Sequence, residues 1–225
     1  MHTILFDIDG TLLASGGAGK AALETSLLAE FGLAALRGQV TYGGRTDRAI
    51  CRDLFQLHEI VETPDALRRL VGGYLQRLPA SLAEHRGRVL PGIAELLDAL
   101  RGRTDVVVGL LTGNLREGAR VKLGHFGLAG HFRFGGYGDE HFDRDEVAHL
   151  AMAEARRHLN GAVDPGRTWV IGDTPLDVRC ARAVGARAVA VATGWHSRDE
   201  LAASQPDLLL DDLADPTPFL DCLTA

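Results

Sequence analysis

Two carboxylates, a glycine and a hydroxyl stand at the end of the first apolar run of the chain, where Thr3-Ile4-Leu5-Phe6 leads into Asp7-Ile8-Asp9-Gly10-Thr11. Such a run reads as a strand covered on both faces, and in open α/β sheets ligands bind outside the carboxyl ends of such strands. Strand alternation sends Asp7 and Asp9 to one side, where two like charges a few ångströms apart repel by about 4 kcal/mol at an effective dielectric of about 20. A cation must compensate. The nearest lysine in sequence is Lys20, so a bound divalent ion is the economical choice, and oxygen donors suit Mg2+. Asp-Gly is also a common surface turn, and the pentapeptide alone fits either role. Two later steps share its form. Val106 to Leu111 stops at Thr112-Gly113-Asn114, and Thr168 to Ile171 stops at Gly172-Asp173-Thr174-Pro175-Leu176-Asp177.

The elements that must position these residues alternate from residue 86 onward. Arg88-Val89-Leu90-Pro91-Gly92 reads as a turn into a helix with Ile93, Leu96, Leu97 and Leu100 on one face. Strand Val106–Leu111 is followed by a helix from Leu115 to Phe126, a strand around Phe132 to Tyr137 and a helix from Asp145 to Leu159. Strand Thr168–Ile171, a short helix through Ala183, and strands at Ala186–Val191 and Leu208–Leu210 complete the pattern. Strands and helices alternating in this way imply a doubly wound parallel sheet. Residues 15–85 break the rhythm, with helices expected at Lys20–Phe31, Asp47–Leu57 and Asp65–Leu82 and no clear strand. An ordinary crossover rarely needs so much chain, so the expected organisation is a core of residues 1–14 and 86–225 with a helical cap inserted at 15–85.

Composition narrows the class. The 225 residues suffice for one substantial domain with an insertion, and 46% hydrophobic and 24% charged residues are ordinary for a globular protein. There is no apolar run of membrane-spanning length and no basic-then-apolar leader, so a cytoplasmic setting is expected. Cys51, Cys180 and Cys222 are odd in number and lack CxxC spacing, which argues for reduced, buried thiols. The formal charge of -6 offers no basic footprint for nucleic acid. The nine histidines show neither HxH nor HExxH spacing and are expected to be surface or packing residues.

Taken in order and each at a strand end, Asp7-Ile8-Asp9-Gly10-Thr11, Leu111-Thr112-Gly113-Asn114 and Gly172 to Asp177 resemble the first, second and fourth motifs of the haloacid dehalogenase-like hydrolase superfamily. The resemblance covers nearly the whole chain, and the helical insertion sits where the phosphoglycolate phosphatase and β-phosphoglucomutase branch carries its cap. It implies an α/β fold with a Rossmann-like core and an inserted α-helical cap. It also implies that Asp7 is a nucleophile forming an aspartyl-phosphate. Asp9 would then protonate the leaving oxygen and activate water, a task that cap closure favours by raising its pKa. Mg2+ would take the carboxylates of Asp7 and Asp173 and the backbone carbonyl of Asp9, with Asp177 acting on the metal's waters. Thr112 would donate to a phosphoryl oxygen, helped by the Gly113 N–H and by Asn114.

Local readings compete at two of these positions. Asn114 with Glu117 makes an N-cap and its partner, and capping is the preferred reading of that asparagine. Asp177 follows Thr174 and Pro175 as an acidic first-turn residue, which is compatible with a role at the metal's waters. The resembled family expects a third-motif lysine about 30 residues before Asp173. Lys20 and Lys122 are both misplaced for it, and Arg144, in Glu140-His141-Phe142-Asp143-Arg144-Asp145, stands at about that distance. Arg144 is therefore the expected replacement, although its planar fork is not equivalent to an ammonium. The alternatives are a surface pair of Arg144 with Asp143 or Glu146, and Lys122 reaching back along its helix. In Thr41-Tyr42-Gly43-Gly44-Arg45-Thr46-Asp47 a glycine turn enters a helix capped by Thr46, and Arg45 either reads the leaving group or is simply exposed.

The resulting expectation is a Mg2+-dependent phosphatase, monomer or homodimer, acting on a small phosphorylated metabolite, with no nucleic-acid or membrane partner. A phosphomutase shares every core residue named, and a non-catalytic phosphate-binding scaffold would have little reason to keep Asp7, Asp9 and Asp173 together.

Overall fold

The computed structural model describes residues 1–161 and 163–224. Strand β1 (His2–Phe6) is buried along its whole length. It lies between β4 (Val106–Leu111) and β6 (Thr168–Gly172), parallel to both. Beyond β4 lies β5 (Gly135–Gly136), and beyond β6 lie β7 (Arg187–Val191) and β8 (Leu208–Leu210), all parallel. Chain order therefore reverses direction between β1 and β6, the switch point at which open α/β sheets bind ligands. The architecture is α/β and doubly wound, as the alternation implied.

Each strand divides its side chains between two cores, because successive residues point to opposite faces. Ile4, Phe6, Trp169, Ile171, Val189 and Val191 join Leu96, Leu97 and Leu100 of α4 (Ile93–Arg101) on one face. Leu5, Val170, Ala188 and Ala190 meet α6 (Arg144–His158) and α7 (Pro175–Ala183) on the other. Burial on both faces is why these runs are continuously apolar.

The expected strand around Phe132–Tyr137 contracts to Gly135–Gly136. A Cβ on Gly136 would lie 2.4 Å from the Val147 carbonyl oxygen, and one on Gly109 of β4 would lie 2.5 Å from the Phe134 ring. Glycine there lets the edge strand fit between β4 and α6, and a run without side chains carries no period to read.

Residues between β1 and β4 form α1 (Ala18–Phe31), α2 (Asp47–Leu57) and α3 (Pro64–Glu84). They enclose their own apolar cluster, including Leu27, Leu54, Phe55, Leu70 and Leu78. Thr46 caps α2 by accepting from the Ala49 N–H, as its sequence predicts, and Thr63 caps α3 from Ala66 in the same way. Where the chain enters and leaves this insertion, β2 (Leu13–Ala14) pairs antiparallel with β3 (Arg88–Val89). The segment read as a turn is thus half of a two-stranded tie, too short to show alternation. Cys51 and Cys180 are buried, whereas Cys222 is half-exposed, contrary to the expectation for it, because it sits on the last turn of the chain's final helix; all three are free. Among the described residues no helix is long and apolar enough to cross a membrane.

Candidate active site

Asp7, Thr112 and Asp173 each follow the last residue of one of the three central strands, and all are buried. The Asp7 N–H donates to the Ile171 carbonyl at 2.9 Å and the Thr112 N–H to that of Gly136 at 3.1 Å, so the sheet fixes both backbones. One carboxylate oxygen from each of Asp7, Asp173 and Asp177 lies within 4.8 Å of the others. Asp173 is cradled by backbone: a Cβ on Gly10 would come within 2.4 Å of its Oδ2 and one on Gly194 within 1.7 Å. Thr11 Oγ1 donates to Asp173 Oδ1 at 3.2 Å.

Burial pushes the Asp7 carboxyl up to about 7; Arg144 opposes the rise, while Asp177 and Asp9 add to it. Burial, with Asp177 and Asp7, holds Asp173 well above the usual carboxylate range. The cluster thus carries more negative charge than its surroundings neutralise. It offers oxygen donors only, a set that fits a hard divalent cation.

Asp7 and Asp9 have different side-chain partners, although Asp9 stands close enough to raise the Asp7 pKa. β1 ends at Phe6, and the chain turns before Asp9. Its carboxylate accepts from Lys122 Nζ at 2.6 Å and from Asn114 Nδ2 at 2.8 Å. Burial alone would raise the Asp9 pKa, but the Lys122 ammonium and the hydrogen bonds from Lys122 and Asn114 hold it below the usual range. These contacts favour the ionised form of Asp9, whereas the acid role expected of it needs the protonated form. Lys122 lies on α5 (Arg116–His125) and reaches back because helical side chains lean toward the N-terminus.

Asn114 is not a helix cap. It donates to Asp9 and to Thr112 Oγ1 at 2.8 Å and accepts from Lys122 at 2.6 Å. The N-cap of α5 is Leu115, which has no capping side chain. Acids from distant segments serve that helix end instead: Leu115 N–H donates to Asp47 Oδ2 at 2.8 Å and Arg116 N–H to Asp139 Oδ2 at 3.0 Å. Asp47 also donates its own N–H to the Gly113 carbonyl at 2.7 Å. Burial pushes the Asp47 carboxyl up to about 6 despite the nearby Lys122. Sequence reasoning placed Asp47 only at a helix start, and nothing local signals its second role.

Arg144 is buried, and its Nη2 donates to Asp7 Oδ1 at 3.1 Å and to Asp177 Oδ1 at 2.5 Å. Burial disfavours its charge, but Asp177 and Asp7 keep it firmly protonated. The alternative surface pair is not formed: Asp143 caps α6 through the Asp145 N–H and pairs with Arg179. Asp177 combines its two expected settings, a capping box with Thr174 and a place in the carboxylate cluster. Arg45 turns its guanidinium to Asp53. It brings backbone to the site instead, since a Cβ on Gly113 would lie 2.0 Å from the Arg45 carbonyl oxygen.

Comparison with known proteins agrees with this fold. The family profile described as haloacid dehalogenase-like hydrolase matches residues 4–182. A phosphoglycolate phosphatase of Synechococcus elongatus is 29% identical over 236 aligned positions, covering 100% of this chain and 98% of the relative. A hydrolase from Pseudomonas syringae superposes with a TM-score of 0.74 at 22% identity over 99% of each chain. CbbY from Rhodobacter sphaeroides, solved in complex with phosphate, gives 0.73 at 24% identity over 96% of each. These two structures share the fold.

Proposed function

The chain belongs to the haloacid dehalogenase-like hydrolases, and we propose that it is a Mg2+-dependent phosphatase hydrolysing a small phosphorylated metabolite through an aspartyl-phosphate on Asp7. The observation that carries this reading is the division of two neighbouring carboxylates between two cations, Asp7 with Arg144 and Asp9 with Lys122. Attack and proton transfer need such separately tuned groups.

In the first half-reaction an Asp7 oxygen forms a bond to phosphorus as the ester oxygen leaves and takes a proton from Asp9. Arrival of a phosphate dianion beside Asp9 raises the proton affinity of that carboxylate, which fits it for the acid role. In the second half-reaction the ionised Asp9, favoured by Lys122, accepts a proton from the water that attacks the aspartyl-phosphate. Thr112 and the Gly113 N–H would hold phosphoryl oxygens, and Arg144 would stabilise charge between nucleophile and phosphate. Asp7, Asp173, Asp177 and the Asp9 carbonyl would hold the Mg2+. Bound there, the ion supplies the positive charge that lets a phosphate dianion approach a carboxylate. The helical insertion would act as the cap that excludes water.

The Synechococcus relative supports 2-phosphoglycolate as the first compound to test. Purified protein with Mg2+ should hydrolyse p-nitrophenyl phosphate or members of a phosphometabolite panel, and Asp7→Asn should abolish turnover. Hydrolysis that survives this substitution would overturn the mechanism.

A further inference from the structure

Phe142 is 40% exposed on the loop that precedes α6. It is gripped from the helical insertion. The guanidinium of Arg48 lies 4.5 Å from the ring centroid and that of Arg52 4.1 Å, both projecting from α2 at adjacent turns. Each guanidinium also lies beside an acid, Arg48 beside Glu62 and Arg52 beside Asp53, which Arg45 shares. Thr46 Oγ1 also donates to the Phe142 carbonyl at 3.4 Å. The next residue, Asp143, caps α6, and the one after it is Arg144, whose guanidinium meets the nucleophile. Arg144 Nε is buried without a partner, so its side chain is held through Nη2 and through the backbone that Phe142 anchors.

We infer that Phe142 is a positioning residue through which the helical insertion sets Arg144 against Asp7. When α2 sits over the core, its two arginines fix the Phe142 ring, the ring fixes the start of α6, and the start of α6 aims the guanidinium. When α2 moves away, the clasp opens and Arg144 loses its constraint. The insertion's position is thereby linked to the nucleophile without any contact between α2 and substrate. The catalytic part of this inference rests on the phosphatase reading.

Phe142→Ala should lower kcat by about tenfold, the size expected from losing two cation–π contacts, with KM nearly unchanged and the circular dichroism spectrum of the wild-type fold. Phe142→Tyr should restore the rate, and Phe142→Leu, which keeps bulk without a π face, should not. In an Arg144→Ala background Phe142→Ala should cost nothing more, because its effect passes through that arginine. Additive losses, or Leu performing as well as Tyr, would overturn the inference. A crystal structure of Phe142→Ala separates this idea from the phosphatase reading. The Arg144–Asp7 hydrogen bond should be broken or split between conformers, and an arginine still bonded to Asp7 overturns the inference whatever the enzyme hydrolyses. Absence of turnover on every phosphate ester by wild-type protein would instead count against the phosphatase reading alone.

Discussion

Asp7 and Asp9 stand two residues apart yet answer to different cations, Arg144 at 3.1 Å and Lys122 at 2.6 Å. Removing either cation should therefore damage a different step. Arg144→Ala should lose at least tenfold in kcat/KM, about 1.4 kcal/mol of transition-state stabilisation, and a wild-type value would deny it the third-motif role. Lys122→Met keeps the stem but removes the charge that lowers the Asp9 pKa, so the alkaline limb of the kcat/KM profile, where Asp9 loses the proton it gives to the leaving oxygen, should move to higher pH; a profile superimposed on wild type would show that Lys122 does not set Asp9. The acids at strand ends were legible in the sequence because three apolar runs in turn stop on polar residues, at Asp7, Thr112 and Asp173, a series that a lone Asp-Gly turn does not account for. Lys122 was legible only as a rival to Arg144; its bond to Asp9 was not, since that reach depends on the tilt of helical side chains across two turns of α5. Asn114 was misread for a related reason: local capping rules take no account of Asp47 arriving from another element to do that work.

Between elements, one close contact of the helical insertion with the core is made at Gly113. The Arg45 carbonyl oxygen would lie 2.0 Å from a Cβ there, and a Cβ on Gly138 would lie 2.2 Å from the Gly113 oxygen. Gly113→Ala should therefore push the α2 entry loop off the core, lowering kcat/KM at least tenfold while circular dichroism stays unchanged. Unaltered kinetics would mean that the loop yields without moving the site. The elements themselves were read well where side chains carry a period or a cap: α2 begins after Thr46 and runs Asp47–Leu57 as expected, and β8 falls on Leu208–Leu210. They were missed where two residues make a strand, as at β2 and β3, and drawn too long where glycine makes one, as at β5.

For the whole molecule, the carboxylate cluster links folding to pH and to metal. Burial raises the pKa of Asp7 to about 7 and that of Asp173 well above its ordinary value. An acid whose folded pKa is raised contributes stability that is fully present below its unfolded pKa and is lost as pH rises through the folded value. Metal-free protein should consequently melt at a lower temperature at pH 8 than at pH 6.5. The histidines whose burial lowers their pKa, His2 and His131, act mainly below that window and in the opposite sense. A Mg2+ ion held in the cluster would bind its carboxylates in their ionised form and in the folded state alone, so adding it should raise the melting temperature more at pH 8 than at pH 6.5. Asp173→Asn should flatten both the pH slope and the Mg2+ response. An equal Mg2+ shift at the two pH values, or one that survives Asp173→Asn, would place the ion somewhere other than among Asp7, Asp173 and Asp177.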